Sequence, residues 1–159
     1  MAIDKTAVIG FPVDHSLSPI IHNHWIKELA LDIKPYEKLN VDPNTFVEQM
    51  NNLKAEGFGG INVTVPLKEL AFNISDETSS VSKKLKSVNT LSLNSEKIDG
   101  DNTDAVGFIN SLDEKTIENN ITNKKTLVLG AGGSARSVVY ALNELGGHCL
   151  LYTSDAADE

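Results

Sequence analysis

The sequence predicts an α/β chain in two unequal parts, and three observations carry that prediction. Over residues 1–112, short apolar runs that end at Gly, Pro or Asn alternate with helical patterns. Residues 113–125 then lose any apolar face and include Asn119, Asn120 and Asn123. Residues 126–159 restart as strand, glycine turn, helix and strand, one β-α-β unit and nothing more. The expected organisation is an N-terminal α/β domain over 1–112, a linker over 113–125, and an incomplete second domain over 126–159.

The first element is a short buried strand, Thr6 to Ile9, stopped by Gly10, Phe11 and Pro12. A helix follows with Ser18 as its cap and Pro19 in its first turn; Ile21, Trp25 and Leu29 recur every fourth residue, so that face is expected in the core. Asp42 and Pro43 announce a second helix, which buries Phe46, Met50 and Leu53 and stops at Gly57. Gly60 to Val65 reads as a strand cut off by Pro66. Leu67 to Lys86 is helical in two pieces, broken around Ser75 to Thr78. Val88 to Leu93 and Glu96 to Ile98 suggest a hairpin about Asn94 and Ser95, and Ala105 to Leu112 a further helix. In the second part Thr126 to Leu129 suits a fully buried strand. Ser134 to Leu145 suits a helix stopped by Gly146 and Gly147, and Leu150 to Tyr152 begins another strand.

Composition bounds the function. The chain has 159 residues, 40% hydrophobic and 23% charged, enough for one full core and part of a second. A net charge of −8 with scattered lysines argues against a nucleic-acid surface, which needs clustered cations to displace counterions. Cys149 is the single cysteine, which excludes an intrachain disulfide, fits a reducing compartment and reads as a small packing residue. The start, Met1 to Lys5, runs straight into a strand without an apolar leader, and no run is long enough to span a membrane, so a cytoplasmic location is expected. No metal site is expected.

Four motifs carry chemistry. Gly130, Ala131, Gly132, Gly133, Ser134 and Ala135 form a G-x-G-x-x-A turn between a predicted strand and a predicted helix. There the glycines let the backbone approach a pyrophosphate, and free N–H groups at the helix start meet its charge. In Ile61 to Val65, alternation puts Ile61, Val63 and Val65 on one face and Asn62 with Thr64 on the other. A second packed face would be apolar, so Asn62 and Thr64 face water, a partner or a ligand. Lys68 then falls in the first turn of a helix, where the dipole disfavours a cation; alone it is a surface lysine. Asp101 to Asp104 precede a helix and by themselves are turn and cap residues, and Ser16 and Ser18 place two hydroxyls at the mouth of another.

Their order along the chain is more specific than any one of them. Ser16-Leu17-Ser18-Pro19, Asn62 to Lys68, Val88-Asn89-Thr90, Gly100 to Asp104 and Gly130 to Gly133 together resemble the shikimate dehydrogenase family, from about Ala7 to Leu151. The resemblance implies an α/β substrate domain followed by the first β-α-β unit of a Rossmann NADP-binding domain, with the active site in the cleft between them. It implies that Ser16 and Ser18 hold the substrate carboxylate and that Asn62, Thr64, Asn89 and Asp104 meet its ring hydroxyls. Lys68 and Asp104 would be the catalytic pair at the oxidised hydroxyl, and Gly130 to Ala135 would hold the cofactor. The implied reaction takes 3-dehydroshikimate and NADPH to shikimate and NADP, in the shikimate pathway of aromatic amino-acid biosynthesis. The partners are those small molecules, with no nucleic acid or membrane, and the assembly is a monomer or homodimer.

The sequence departs from the family in two places. Lys86 and Ser87 precede Val88 where the family has a Gly-Ala pair, which puts the backbone before Asn89 in question. Thr153, Ser154 and Asp155 stand where an Asn-Arg-Thr turn would supply an arginine for the 2′-phosphate of NADP. Asp155 is where NAD-binding folds place an acidic residue, so NAD is possible. The favoured expectation is instead a C-terminally truncated chain of low activity. Two alternatives remain: a quinate/shikimate dehydrogenase using NAD or NADP, and a non-catalytic small-molecule-binding module.

Overall fold

The computed structural model describes residues 5–94, 96–130 and 134–152. The chain divides into two compact units, Met1–Asn102 and Thr103–Glu159. This divide lies before the polar tract 113–125 because the helix that precedes the tract, Asp104–Asn110, packs on a helix of the second unit, Ala135–Glu144. The tract itself holds a single helical turn, Glu114–Thr116, and a π-turn, Ile117–Ile121.

The first unit is a six-stranded mixed sheet. Its strands are β1 Lys5–Gly10, β2 Glu37–Asn40, β3 Phe58–Val63, β4 Glu77–Thr78, β5 Thr90–Ser92 and β6 Asp99–Asp101, in the order β2-β1-β3-β5-β6-β4. β2, β1 and β3 run parallel, as do β4 and β6, and β5 is antiparallel to β3 and β6. β2 carries no apolar alternation, since Glu37, Lys38 and Asn40 are exposed on an edge strand. The hairpin arm expected at Glu96 to Ile98 lies instead at Asp99–Asp101, so Gly100 and Asp101 are strand residues.

Four helices flank this sheet: α1 Ser18–Glu28, α2 Phe46–Ala55, α3 Lys68–Ile74 and α4 Ser80–Leu85. α2 follows a 3-10 turn, Pro43–Thr45, capped by Asp42 Oδ1 accepting the Asn44 N–H at 2.8 Å. It buries Phe46, Met50 and Leu53 against Ala7, Ile9, Ile61, Val63, Leu67 and Leu91, and at ~25 cal/mol per Å2 of buried apolar surface this core is the unit's main stabilisation.

The other sheet face is thinly covered. There Val8, Val13 and Tyr36 form a small cluster, with a half-buried Ile26 from α1 packed against it. The expectation that Ile21, Trp25 and Leu29 enter the core is corrected, since they are 46%, 51% and 66% exposed. α1 meets the sheet through His22, Asn23 and Ile26 instead, and one residue step turns a helix by about 100°. Ser18 is likewise the first helical residue rather than the cap; Leu17 takes that place, and no side chain caps the helix.

β3 stops at Val63, ahead of a cis Val65–Pro66 peptide, so Ile61 and Val63 are buried as alternation requires, but Val65 is exposed. The second unit contains α5 Asp104–Asn110, α6 Glu114–Thr116, β7 Lys125–Leu129, α7 Ala135–Glu144 and β8 His148–Tyr152. β7 and β8 pair in parallel around α7, a β-α-β unit. β7 is not fully buried as expected: Leu127 and Leu129 are exposed, and they lie beside Leu150 and Tyr152 of β8, which are exposed too. Among the described residues, no helix is long and apolar enough to cross a membrane.

Candidate active site

The thin face of the first sheet carries its polar residues in connected form. Asn62 and Thr90 are register partners on β3 and β5. The buried Tyr36 hydroxyl donates to Asn62 Oδ1 at 2.7 Å, Asn62 Nδ2 donates to Thr90 Oγ1 at 3.4 Å, and the Thr90 hydroxyl donates to Asn89 Oδ1 at 2.9 Å. Burial pushes the Tyr36 phenol well above its ordinary value of 10.0. His22 stacks on the Tyr36 ring at 4.2 Å, and burial holds its imidazole below 6.5. Sequence reasoning missed Tyr36; its only signal is an aromatic residue just before a polar edge strand.

Asn89 is held from both sides by its backbone. Its carbonyl accepts the Val63 N–H at 2.8 Å and its N–H donates to the Asp101 carbonyl at 2.9 Å. Just before it, the Val88 N–H donates to the Lys68 carbonyl at 3.0 Å, which ties the entry to Asn89 to the first residue of α3. Asn102, 2% exposed, donates through Nδ2 to the Ser87 carbonyl at 3.1 Å, and thus anchors the same segment from the motif Gly100 to Asp104. Lys86 takes the left-handed conformation at φ +49°, where glycine is the ordinary residue.

Thr64 sits in the turn between β3 and α3, its N–H donating to the Ile9 carbonyl at 2.9 Å. A Cβ on Gly10 would lie 2.6 Å from the Thr64 methyl, so only glycine lets β1 end beneath Thr64. The Ser18 N–H donates to Ser16 Oγ at 3.3 Å; the Ser18 hydroxyl makes no cap bond. Ser16, Ser18, Asn62, Thr64, Lys68 and Asn89 thus all belong to the first unit. Asp104 is the first residue of α5 in the second unit, two residues beyond Asn102.

Of the cofactor candidates, Gly130 follows β7 at φ +96° with open space where a Cβ would stand, as a close approach to phosphate requires. Ala131, Gly132 and Gly133 lie outside the described residues. Ser134 caps α7 without a side-chain bond, and Ala135 is its first residue.

Residues 8–91 match the family model of the shikimate dehydrogenase substrate binding domain. The chain belongs to the shikimate dehydrogenase family. It is 41% identical over 150 residues to shikimate dehydrogenase (NADP(+)) of Methylocella silvestris, covering 94% of this chain and 53% of that protein. The crystal structure of shikimate dehydrogenase from Aquifex aeolicus superposes with a TM-score of 0.88 at 37% identity, covering 97% of this chain and 57% of that one. Shikimate 5-dehydrogenase from Thermus thermophilus in complex with NADP(H) and shikimate superposes at 0.80 with 33% identity, covering 96% of this chain and 56% of that one. The chain spans about half the length of the curated relatives it matches.

Proposed function

We propose that this chain supplies the substrate site and the first cofactor-binding unit of an enzyme that interconverts 3-dehydroshikimate and shikimate with NADP. The observation that supports the reading is the Val88 to Lys68 backbone bond, which ties the residue before Asn89 to the first residue of the Lys68 helix, so that segments bearing amide, hydroxyl and ammonium groups meet just beyond β3. Such a set suits a small ring acid bearing several hydroxyls.

In this reading Ser16 and Ser18 hold the carboxylate, and Asn62, Thr64, Asn89 and Asp104 bind the ring hydroxyls. In the reducing direction the Lys68 ammonium donates a proton to the substrate carbonyl oxygen as negative charge builds on it; in the oxidising direction the same nitrogen takes the proton back. Asp104 is the second member of the proposed catalytic pair. NADP, held by Gly130 to Ala135, supplies the hydride chemistry. The setting is cytoplasmic and the assembly a monomer or homodimer. With about half the length of its relatives, the chain alone binds substrate and turns over little.

Lys68→Ala tests the catalytic assignment in a version extended to the relatives' length. Turnover should fall about a hundredfold or more while substrate affinity changes much less. Equal losses in both would mark a binding module instead.

A further inference from the structure

Tyr36 is the origin of a directed hydrogen-bond chain that ends on Asn89. Its hydroxyl reaches Asn62 Oδ1 at 2.7 Å, Asn62 Nδ2 reaches Thr90 Oγ1 at 3.4 Å, and the Thr90 hydroxyl reaches Asn89 Oδ1 at 2.9 Å. The direction follows from the inventory of protons. A threonine hydroxyl has one hydrogen, and while it donates to Asn89 it can only accept from Asn62. Asn62 must therefore present its –NH2 to Thr90 and its oxygen to Tyr36, and Tyr36 must donate. Reversing the Asn62 amide would make Thr90 donate to Asn62 and release the Asn89 oxygen.

Tyr36 is built to hold that role. The Asn23 side chain clasps its backbone from both sides, Oδ1 accepting the Tyr36 N–H at 2.7 Å and Nδ2 donating to the Tyr36 carbonyl at 3.0 Å. The His22 ring lies flat on the phenol, with only 9° between the planes. Tyr36 as a residue is 5% exposed, so its hydroxyl exchanges little with water for partners. Hydrogen bonds that run in one sense strengthen one another by polarisation, so the first donor influences the last acceptor.

We infer that Tyr36 is a positioning residue for the substrate: through Asn62 and Thr90 it fixes which face of the Asn89 amide, oxygen or –NH2, is turned to the ligand. This rests on the shikimate reading of the site. With its oxygen accepting from Thr90, Asn89 enters the shikimate reading as an –NH2 donor. Tyr36 acts through Asn62 and Thr90 and is not itself assigned a substrate contact.

The test uses the 159-residue chain labelled with 15N, the Tyr36→Phe variant, and shikimate as the probe. Phenylalanine keeps the ring, the His22 stack and the Asn23 clasp, and removes only the donor. The expected result is a change in the side-chain amide resonances of Asn62 and Asn89 without ligand, and a loss of shikimate affinity of about three- to tenfold, the scale of one hydrogen bond. A merely structural tyrosine would leave those two amides unmoved. Thr90→Val cuts the chain at its other link and should reproduce the Asn89 change while sparing the Asn62 contact with Tyr36. Unmoved Asn89 amide signals in both variants, with the backbone spectrum intact, would overturn the inference. Failure of the unaltered chain to bind shikimate would instead overturn the substrate reading, and the ligand-free amide signals would still decide the positioning role.

Discussion

The Lys68 carbonyl accepts the Val88 N–H at 3.0 Å, so the first residue of α3 and the entry to Asn89 move as one piece. The same segment is anchored by Asn102, which is buried and bonded to the Ser87 carbonyl. Replacing Asn102 by Ala leaves that carbonyl short of a partner and opens a small void. Unfolding by urea should show a loss of about 1–3 kcal/mol. Shikimate affinity should also fall, because Asn89 follows the segment that loosens.

Lys86 sits at φ +49°, a conformation that costs a residue with a Cβ about 1–2 kcal/mol. Glycine avoids this cost but has more freedom to lose on folding, about 0.5–1 kcal/mol. Lys86→Gly should therefore stabilise the first unit modestly, by up to about 1 kcal/mol, read as a higher urea midpoint with an unchanged slope.

His22 gives the thin sheet face a pH dependence. Its folded-state value is lowered by burial, so as pH falls the unfolded chain takes up the proton first. The stability tied to neutral His22 is fully present above about pH 6.5 and is lost as the pH falls through the lowered folded value. His22→Phe keeps a ring on Tyr36 without a titrating group. Between about pH 7.5 and about pH 5.5 its urea midpoint should fall less than that of the unaltered chain, with the carboxylates common to both.

One face of the β7–β8 pair is apolar and open: Leu127 stands beside Leu150, and Leu129, 74% exposed, beside Tyr152. A two-stranded sheet with open edges and such a face is a template for association. Sedimentation should show mass rising with concentration, and Leu129→Lys should reduce that rise without lowering the urea midpoint of the first unit.

Much of this was legible in the sequence, for identifiable reasons. Asp42, Pro43 and Gly57 bound α2 by local rules, and the spacing of Phe46, Met50 and Leu53 marks its buried face, so the element is where the pattern puts it. α1 follows the same spacing rule through Ile21, Trp25 and Leu29, yet that face is exposed, because periodicity says that a face is apolar and not what covers it. β2 and β4 carry no alternation; their pairing with β1 and β6 comes from sheet context. In the site, ordered motifs gave Asn62, Thr64, Lys68 and Asn89, whereas Tyr36 and the role of Asn102 depend on burial and long-range hydrogen bonds that no local pattern records.

If the first unit binds shikimate beside Lys68, titration of the 15N-labelled chain with shikimate should reveal it without turnover. Saturable shifts are expected in the backbone amides of Ser16, Ser18, Asn62, Thr64, Lys68 and Asn89, with the amides of α2 unmoved. A folded chain whose amides near Lys68 stay fixed at saturating shikimate would contradict the shikimate reading.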